Sequence, residues 1–464
     1  MIRMTLDEIA AVTGGRLVNA DPAATVTGPV EYDSRALLPG GLFVAFAGEK
    51  VDGHDYAAAA VEAGAAGVLG SRDTGQPGVV VADPLEALAK LAHVVVGRLR
   101  ELTVVGLTGS SGKTTTKDYI GQLLTRLGPT VAPAGSLNNE LGFPYTVLKA
   151  TTETRFLVLE MGARGIGHIA HLTGIAAPRI GVVLNVGAAH IGEFGSVEGT
   201  ARAKGELVES LPAEGLAVLN ADDPLVSAMA SRTQARVMLV GEAEQAGIRA
   251  ADVTLDERGR AAYTLVTEAG SAPVRLAVTG RHQVANTLAA AAVALEAGMP
   301  VADVAAALGE VGIVSSRRMD VFDRPDGVTV IDDSYNANPS STAAALRALA
   351  ALGEGRRTIA VLGYMAELGE YETSGHEDVG RLAAELGVDR LVAVAQATPV
   401  LDGAASVPDW KGEPIAAADQ AAAIAAVTGD LRPGDVVLVK GSRYRTWEVA
   451  DALRADSAAE EVSP

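Results

Sequence analysis

The stretch "GLTGSSGKTTTKDYI", residues 106–120, decides the fold, because it reads as the turn between a buried strand and a helix. Upstream, "LTVVGLT" (102–108) is an apolar run with the length of a buried strand. Downstream, "TTTKDYIGQLLTRLG" (114–128) has helical spacing and stops on glycine. A strand, a glycine-rich loop and a helix in that order make a phosphate cradle, since the backbone N–H groups of the loop and helix start point at an anion. The common pattern is Gly, four residues, then Gly-Lys-Ser/Thr. Here the position five before Gly112 is Leu107; Gly106 comes one residue early and Gly109 two late, so the loop is a shortened form. Thr108, Gly109, Ser110, Ser111, Gly112, Lys113, Thr114 and Thr115 are the expected phosphate contacts. Lys113 would reach the outer phosphates and Thr114 would ligate Mg²⁺. A bare strand-to-helix turn is the alternative, and Gly-Lys-Thr after a buried strand argues against it. A GTPase is disfavoured because no Asn-Lys-x-Asp motif occurs.

Working outward, the chain divides into three α/β segments. Residues 1–98 alternate short β-like runs, "LFVAFAG" and "GVVVAD", with alanine-rich helical stretches. Residues 99–312 repeat apolar strands ("RFLVLEMG", "RIGVVLNVG", "GLAVLNAD", "RVMLVG") between helices, the pattern of a mostly parallel sheet with helices on both faces. Residues 313–464 restart it with "GVTVIDDSYNANP", "RTIAVLGYM", "RLVAVA" and "GDVVLVKGSR", a second, smaller doubly wound sheet of Rossmann type.

Composition narrows the chemistry. The 464 residues carry 38 basic and 57 acidic side chains, a net charge of −19, which disfavours nucleic acid and anionic membranes as partners. The chain has no cysteine, so thiol catalysis, disulfides and cysteine zinc sites are excluded. The start "MIRMTLDEIA" has no apolar run of signal-peptide length and no segment reaches a membrane span, so a cytoplasmic protein is expected.

Several polar residues fall where ligands bind in such sheets, beyond the carboxyl ends of the strands. "VLEMGAR" puts Glu160 at a strand end, and "NVGAAHIGEFGS" puts His190 beyond the next strand. "TARAKGEL" holds Lys204 on a short helix, which alone reads as a solvated lysine. "GRHQVANTLAA" offers Asn286 and "SSRRMDV" offers Arg318. "DDSYNANPSS" clusters Asp333, Tyr335, Asn336 and Asn338 after an apolar strand. An Asx-rich helix start is its alternative reading; the length of the cluster favours ligand contacts.

Taken together, the short loop, Glu160, His190, Lys204, Asn286, Arg318 and Asp333 resemble, in order, the Mur ligases of peptidoglycan synthesis. The resemblance runs through "DSRALLPGGLFVAFAGEKVDGHDY", "TGSSGKTTTKD", "GSLNNELGFP", "AAHIGEFGS", "AKGEL", "LNADD", "DDSYNANPSS", "MAELGE" and "VKGSR", from residue 33 to 443. "NNELGFP" and "DDSYNANP" point to the family's last member. The resemblance implies a ligase that uses ATP to join D-alanyl-D-alanine to UDP-N-acetylmuramoyl-tripeptide, through an acyl phosphate and a tetrahedral intermediate. It implies that residues 1–98 bind the UDP-sugar-peptide, with Ser34, Arg35 and Gly48 on the matching motif. Residues 99–312 would bind ATP, and residues 313–464 would bind ATP and the dipeptide. Of two Mg²⁺ ions, one would fall to Thr114 and Glu160, the other to His190 and to Lys204 as a carbamate. Lys113, Lys204, His190 and Glu160 form the implied catalytic set. Asn286 is assigned to adenine, Arg318 to the phosphates and Asp333 to the ribose. Asn138 and Asn139 are candidates for the sugar-peptide; Ser334, Tyr335, Asn336 and Arg443 are candidates for the dipeptide. A monomer is expected. Two departures stand out: Tyr364 in "LGYMAELGE" where the family usually has an acid, and Ser316 in place of a common glycine, which leaves Arg317 and Arg318 competing for the phosphate role. A sister ligase acting on another amino acid, or a nucleotide switch, is the rival; the switch leaves Glu160, His190 and Lys204 without a purpose.

Overall fold

The computed structural model describes residues 1–48, 51–187 and 194–460, with side chains through 455. His190 therefore lies outside the described residues.

The fold is three-domain α/β. The strand Thr103–Thr108 lies inside a nine-stranded sheet, paired in parallel with Phe156–Glu160 on one side and Ile180–Val183 on the other. Its side chains alternate faces, as the pleat requires. Val104 joins one core with Leu157, Leu159 and Val183; Val105 and Leu107 join the other with Val158 and Val182. Both faces are buried, so between its terminal threonines the strand carries no polar side chain. Leu216–Asn220, Arg236–Gly241 and Ile248–Leu255 continue the sheet in parallel on one side and Thr130–Val131 on the other. At the far edge Arg260–Thr267 and Gly270–Thr279 turn antiparallel. The sequence reading passed over most of this extension, since its strands alternate weakly and one face is open: Ile248 and Ala250 are buried while Arg249 and Ala251 are not.

The five-stranded N-terminal sheet runs in the order Arg16–Val18, Gly78–Val80, Gly67–Gly70, Leu42–Val44, Val30–Glu31. Its core is continuous with the first face of the central sheet: Leu6, Leu42 and Leu91 belong to one cluster with Leu157 and Leu207. A polar bridge runs alongside, where the Tyr145 hydroxyl donates to the Glu31 carboxylate at 2.9 Å.

The C-terminal sheet has six strands, ordered Asp320–Asp323, Thr329–Asp333, Val436–Lys440, Thr358–Leu362, Arg390–Val394, Glu413–Ala417, all parallel but the first. Ala360 and Leu362 feed one core and Ile359 and Val361 the other, so helices cover both faces. Thr329–Asp333 and Val436–Lys440 are neighbours although about a hundred residues separate them. Their ends bring Asp333 and Lys440 side by side.

Among the described residues no helix is long and apolar enough to cross a membrane.

Candidate active site

The loop after Thr108 turns at Gly112, whose φ of +78° favours glycine. Space demands glycine as well: a Cβ there would lie 2.6 Å from Asn286 Oδ1. The helix Lys113–Thr125 starts immediately after, so its unpaired N–H groups face the loop's hollow. Lys113 curls back over it, its ammonium donating to the Gly109 carbonyl at 2.8 Å. Burial pushes that ammonium below its ordinary pKa; Glu160 pulls it back up and Arg318 opposes. Ser111 N–H donates to Asn185 Oδ1 at 2.9 Å, which fixes the loop from the neighbouring strand end.

Glu160 is the hub. Thr114 Oγ1 donates to its Oε2 at 2.8 Å; Ser136 Oγ and Asn138 Nδ2 donate to its Oε1 at 2.8 and 2.7 Å. Asn138 thus positions Glu160, whereas Asn139 accepts the Gly142 N–H at 2.7 Å and supports the next short helix. From the third domain, Arg318 Nη2 donates to Thr114 Oγ1 at 3.0 Å. Its guanidinium lies 3.9 Å over the Tyr335 ring, and its buried Nε has no partner among the described residues. Both neighbours of Arg318 are left-handed, Arg317 at φ +60° and Met319 at φ +54°, a strained backbone that persists only where surroundings enforce it. Arg317 points away: it pairs with Asp451 at 3.0 Å and donates to the Trp447 carbonyl. The geometry separates the two arginines that the sequence left competing.

Asp333 accepts the Met319 N–H at 3.2 Å and pairs with the Lys440 ammonium at 2.8 Å; that ammonium also reaches the Asn336 carbonyl. These groups line one cavity of about 620 Å³, which also takes in Asn138, Asn139, Lys204, Asn286, Tyr335, Asn336 and Arg443. Lys204 is buried and finds no hydrogen-bond or ion-pair partner among the described residues. Burial, and secondarily the charge of Lys113, hold its ammonium well below the ordinary value. Lys113, Arg318 and Lys440 bring cationic side chains to the cavity beside the carboxylates of Glu160 and Asp333. Such cations offset charge that shifts during transfer.

Some expected residues are elsewhere. Ser34, Arg35 and Gly48 sit on the N-terminal domain and do not line the cavity; Arg35 is exposed and pairs with Asp33 at 2.7 Å. Ser334 is fully buried with its hydroxyl given to Asp332 at 2.5 Å, so it presents nothing to a ligand in the cavity. Tyr364 stacks on His376 at 5.3 Å and is pushed up to about 12 by burial and by Glu372. The sequence reading missed Lys440, His282, Ser136 and Asn185 as site residues, whereas Asn338, named in the polar cluster, does line the cavity. Lys440 had a signal, a lysine ending an apolar strand in "VKGSR"; Ser136 and Asn185 lie within stretches read for other residues.

Three family descriptions match in succession: the Mur ligase family, catalytic domain, over residues 28–101; the Mur ligase middle domain over 107–294; and the Mur ligase, glutamate ligase domain over 317–443. The chain is 49% identical over the full length of both chains to the UDP-N-acetylmuramoyl-tripeptide–D-alanyl-D-alanine ligase of Mycobacterium tuberculosis. This chain belongs to the Mur ligase family. The Escherichia coli enzyme of the same name is 36% identical, with 97% of each chain covered. Among solved structures, MurF from Acinetobacter baumannii superposes with a TM-score of 0.86 at 32% identity, covering 97% of this chain and 99% of that one. MurF from Thermotoga maritima, solved in complex with ADP, gives 0.78 at 29%, covering 94% and 99%. Within the Mur ligase frame the shortened loop and the cavity fall in the middle domain and at its border with the third.

Proposed function

We propose that this chain is an ATP-dependent amide ligase of peptidoglycan precursor synthesis that joins D-alanyl-D-alanine to UDP-N-acetylmuramoyl-tripeptide, giving ADP and phosphate. The observation that carries the reading is the convergence of Lys113, Thr114 and Glu160 with Arg318, Asp333 and Lys440 of the next domain on one cavity. The full-length identity to relatives of that name supports the substrates.

In this reading residues 1–98 hold the UDP-sugar-peptide, 99–312 hold ATP, and 313–464 hold ATP and the incoming dipeptide. The tripeptide carboxylate attacks the terminal phosphorus and ADP leaves. The dipeptide amine attacks the acyl carbon, and the tetrahedral intermediate collapses with loss of phosphate and a proton. Lys113 and Arg318 face the phosphates, Asn286 the adenine and Asp333 the ribose. Asn138 holds Glu160, and Tyr335, Asn336 and Arg443 face the dipeptide.

Thr114 and Glu160 offer a hydroxyl and a carboxylate, the oxygen donors Mg²⁺ prefers. Among the described residues no group of three or more His, Asp or Glu side chains is placed to hold an ion alone, which suits a metal that keeps waters and borrows phosphate oxygens. Such an ion offsets charge between carboxylate and phosphates. A second ion at His190 belongs to the same proposal. Lys204 is assigned as a carbamate: a neutral amine attacks CO₂, one N–H proton leaves, and a cation becomes an anion with two oxygen acceptors. Its burial in the cavity wall and the neighbouring Lys113 charge support a neutral amine. A cytoplasmic monomer completes the reading.

The deciding experiment is a coupled phosphate-release assay. Phosphate should appear only when ATP, UDP-N-acetylmuramoyl-tripeptide and D-alanyl-D-alanine are all present. Release with a single amino acid in place of the dipeptide would move the chain to a sister activity.

A further inference from the structure

Asn338 serves two domains. Its Oδ1 accepts the Ser341 N–H at 2.9 Å and caps the helix Pro339–Leu352, while its Nδ2 donates across the domain border to the Ser110 carbonyl at 3.4 Å. The next turn presses on the same spot. A Cβ built on Gly187 would lie 2.7 Å from Ser340 Oγ and 3.7 Å from Ser110 Cβ. Gly187 N–H in turn donates to Ser110 Oγ at 2.9 Å, and Ser110 is only 4% exposed. A face made of Ser110 and Gly187 on the central domain therefore closes on a face made of Asn338 and Ser340 on the third.

Two residue choices there are unexplained by local structure. Aspartate or serine caps a helix as well as asparagine does. Only asparagine adds an N–H donor at that point, and the donor is what Ser110 uses. At position 187 a Cβ would crowd the Ser340 hydroxyl, and Gly187 is not among the glycines with positive φ.

We propose that Asn338 and Gly187 form a latch that seats the third domain on the phosphate loop, so that Arg318 and Asp333 meet the same nucleotide as Lys113. Both are positioning residues. The activity readout rests on the ligase reading; a distance readout does not.

Asn338→Asp keeps the cap acceptor and replaces the donor with an oxygen facing a carbonyl. Its Tm should match wild type, and its kcat/KM for ATP should fall about tenfold, the scale of one lost hydrogen bond plus repulsion. Gly187→Ala should lose activity similarly through the clash, and adding Ser340→Ala should restore most of it. The chain has no cysteine, so spin labels on Glu268→Cys and Glu385→Cys, exposed on the two domains, report closure with ADP and Mg²⁺. Asn338→Asp should broaden that distance distribution. Wild-type turnover in Asn338→Asp overturns the latch. So does lost turnover with unchanged label distances, which would make Asn338 a ligand contact. A Tm loss as large as in Asn338→Ala would assign the effect to the cap and also overturn it. A wild-type chain that releases no phosphate sinks the ligase reading, and the label distances still decide the latch.

Discussion

Gln122 holds the main chain of Gly312 from both sides: its Nε2 donates to the Gly312 carbonyl and its Oε1 accepts the Gly312 N–H, each at 3.0 Å. The contact is one rung of a ladder. Thr114, Asp118, Gln122 and Arg126 recur every four residues on one face of the loop helix. They bind Arg318 at 3.0 Å, the Ser315 N–H at 3.0 Å, Gly312, and Glu310 at 2.6 Å. The interdomain linker thus runs antiparallel along the helix that begins the phosphate site, and nucleotide occupancy and domain position share one rigid element.

Closure should therefore bend at the linker near 313. Lys113 and Asn286 lie on one side of it, Arg318 and Asp333 on the other, and no open arrangement brings both sets to one nucleotide. Small-angle scattering should show a smaller radius of gyration when an ATP analogue and the UDP-substrate are bound together. Gln122→Ala, lacking two linker hydrogen bonds, should be more expanded without ligands and contract further with them. An unchanged radius at saturation in both proteins would count against the hinge.

The two arginines should separate by phenotype. Arg318→Ala removes a cation from the phosphate cavity and should lower turnover by roughly 10²-fold with little change in Tm. Arg317→Ala breaks the contacts with Asp451 and Trp447 and should lower Tm while turnover per folded molecule holds. The reverse outcome, measured by phosphate release and thermal melts, would exchange the assignments.

What the sequence made legible follows from periodicity. Buried parallel strands are apolar runs, and polar residues just past their ends, such as Glu160 and Asp333, mark the ligand edge whatever the strand order. The pairing of Asp333 with Lys440 was not legible, because it depends on two distant strands becoming neighbours. Ser334 reads like Asn336 in a string of polar residues; only the strand's pleat decides that it turns inward to Asp332. The linker ladder was hidden for a similar reason. Its helix half is a plain polar stripe, and its other half lies nearly two hundred residues away.

Acid should weaken the third domain through His376. Its ring is fully buried; Nε2 accepts the Met365 N–H at 2.9 Å, and Nδ1 faces the Glu372 carbonyl at 2.7 Å. That pattern requires a neutral ring with its proton on Nδ1. Burial lowers its pKa in the fold, with Glu372 partly opposing. Between the lowered value and the ordinary one near 6.5 the unfolded chain binds more protons, so this contribution is intact above pH about 6.5 and fades as pH falls below it. Thermal melts from pH 7.5 to 5 should show wild type losing more Tm than His376→Gln. Parallel pH curves for the two proteins would exclude His376 as the group.

Lys204 is the sharpest case, because its charge has the wrong sign for a metal site. A free ammonium beside Mg²⁺ and Lys113 is repelled by both. Burial already disfavours that cation, and a neutral amine is the form that reacts with CO₂. A carbamate would supply an oxygen ligand of the right sign to the metal assigned to His190. The competing view keeps Lys204 cationic, as a contact to phosphate. Lys204→Ala separates the two, since both predict a loss of roughly 10²-fold or more in turnover and only the chemistry of rescue differs. If the missing group is an anion, short-chain carboxylic acids should enter the space left by the side chain and restore part of the activity in a saturable way. Alkylamines should then do nothing. Rescue by amines without rescue by carboxylates would show that a cation acts there, and the carbamate would be wrong.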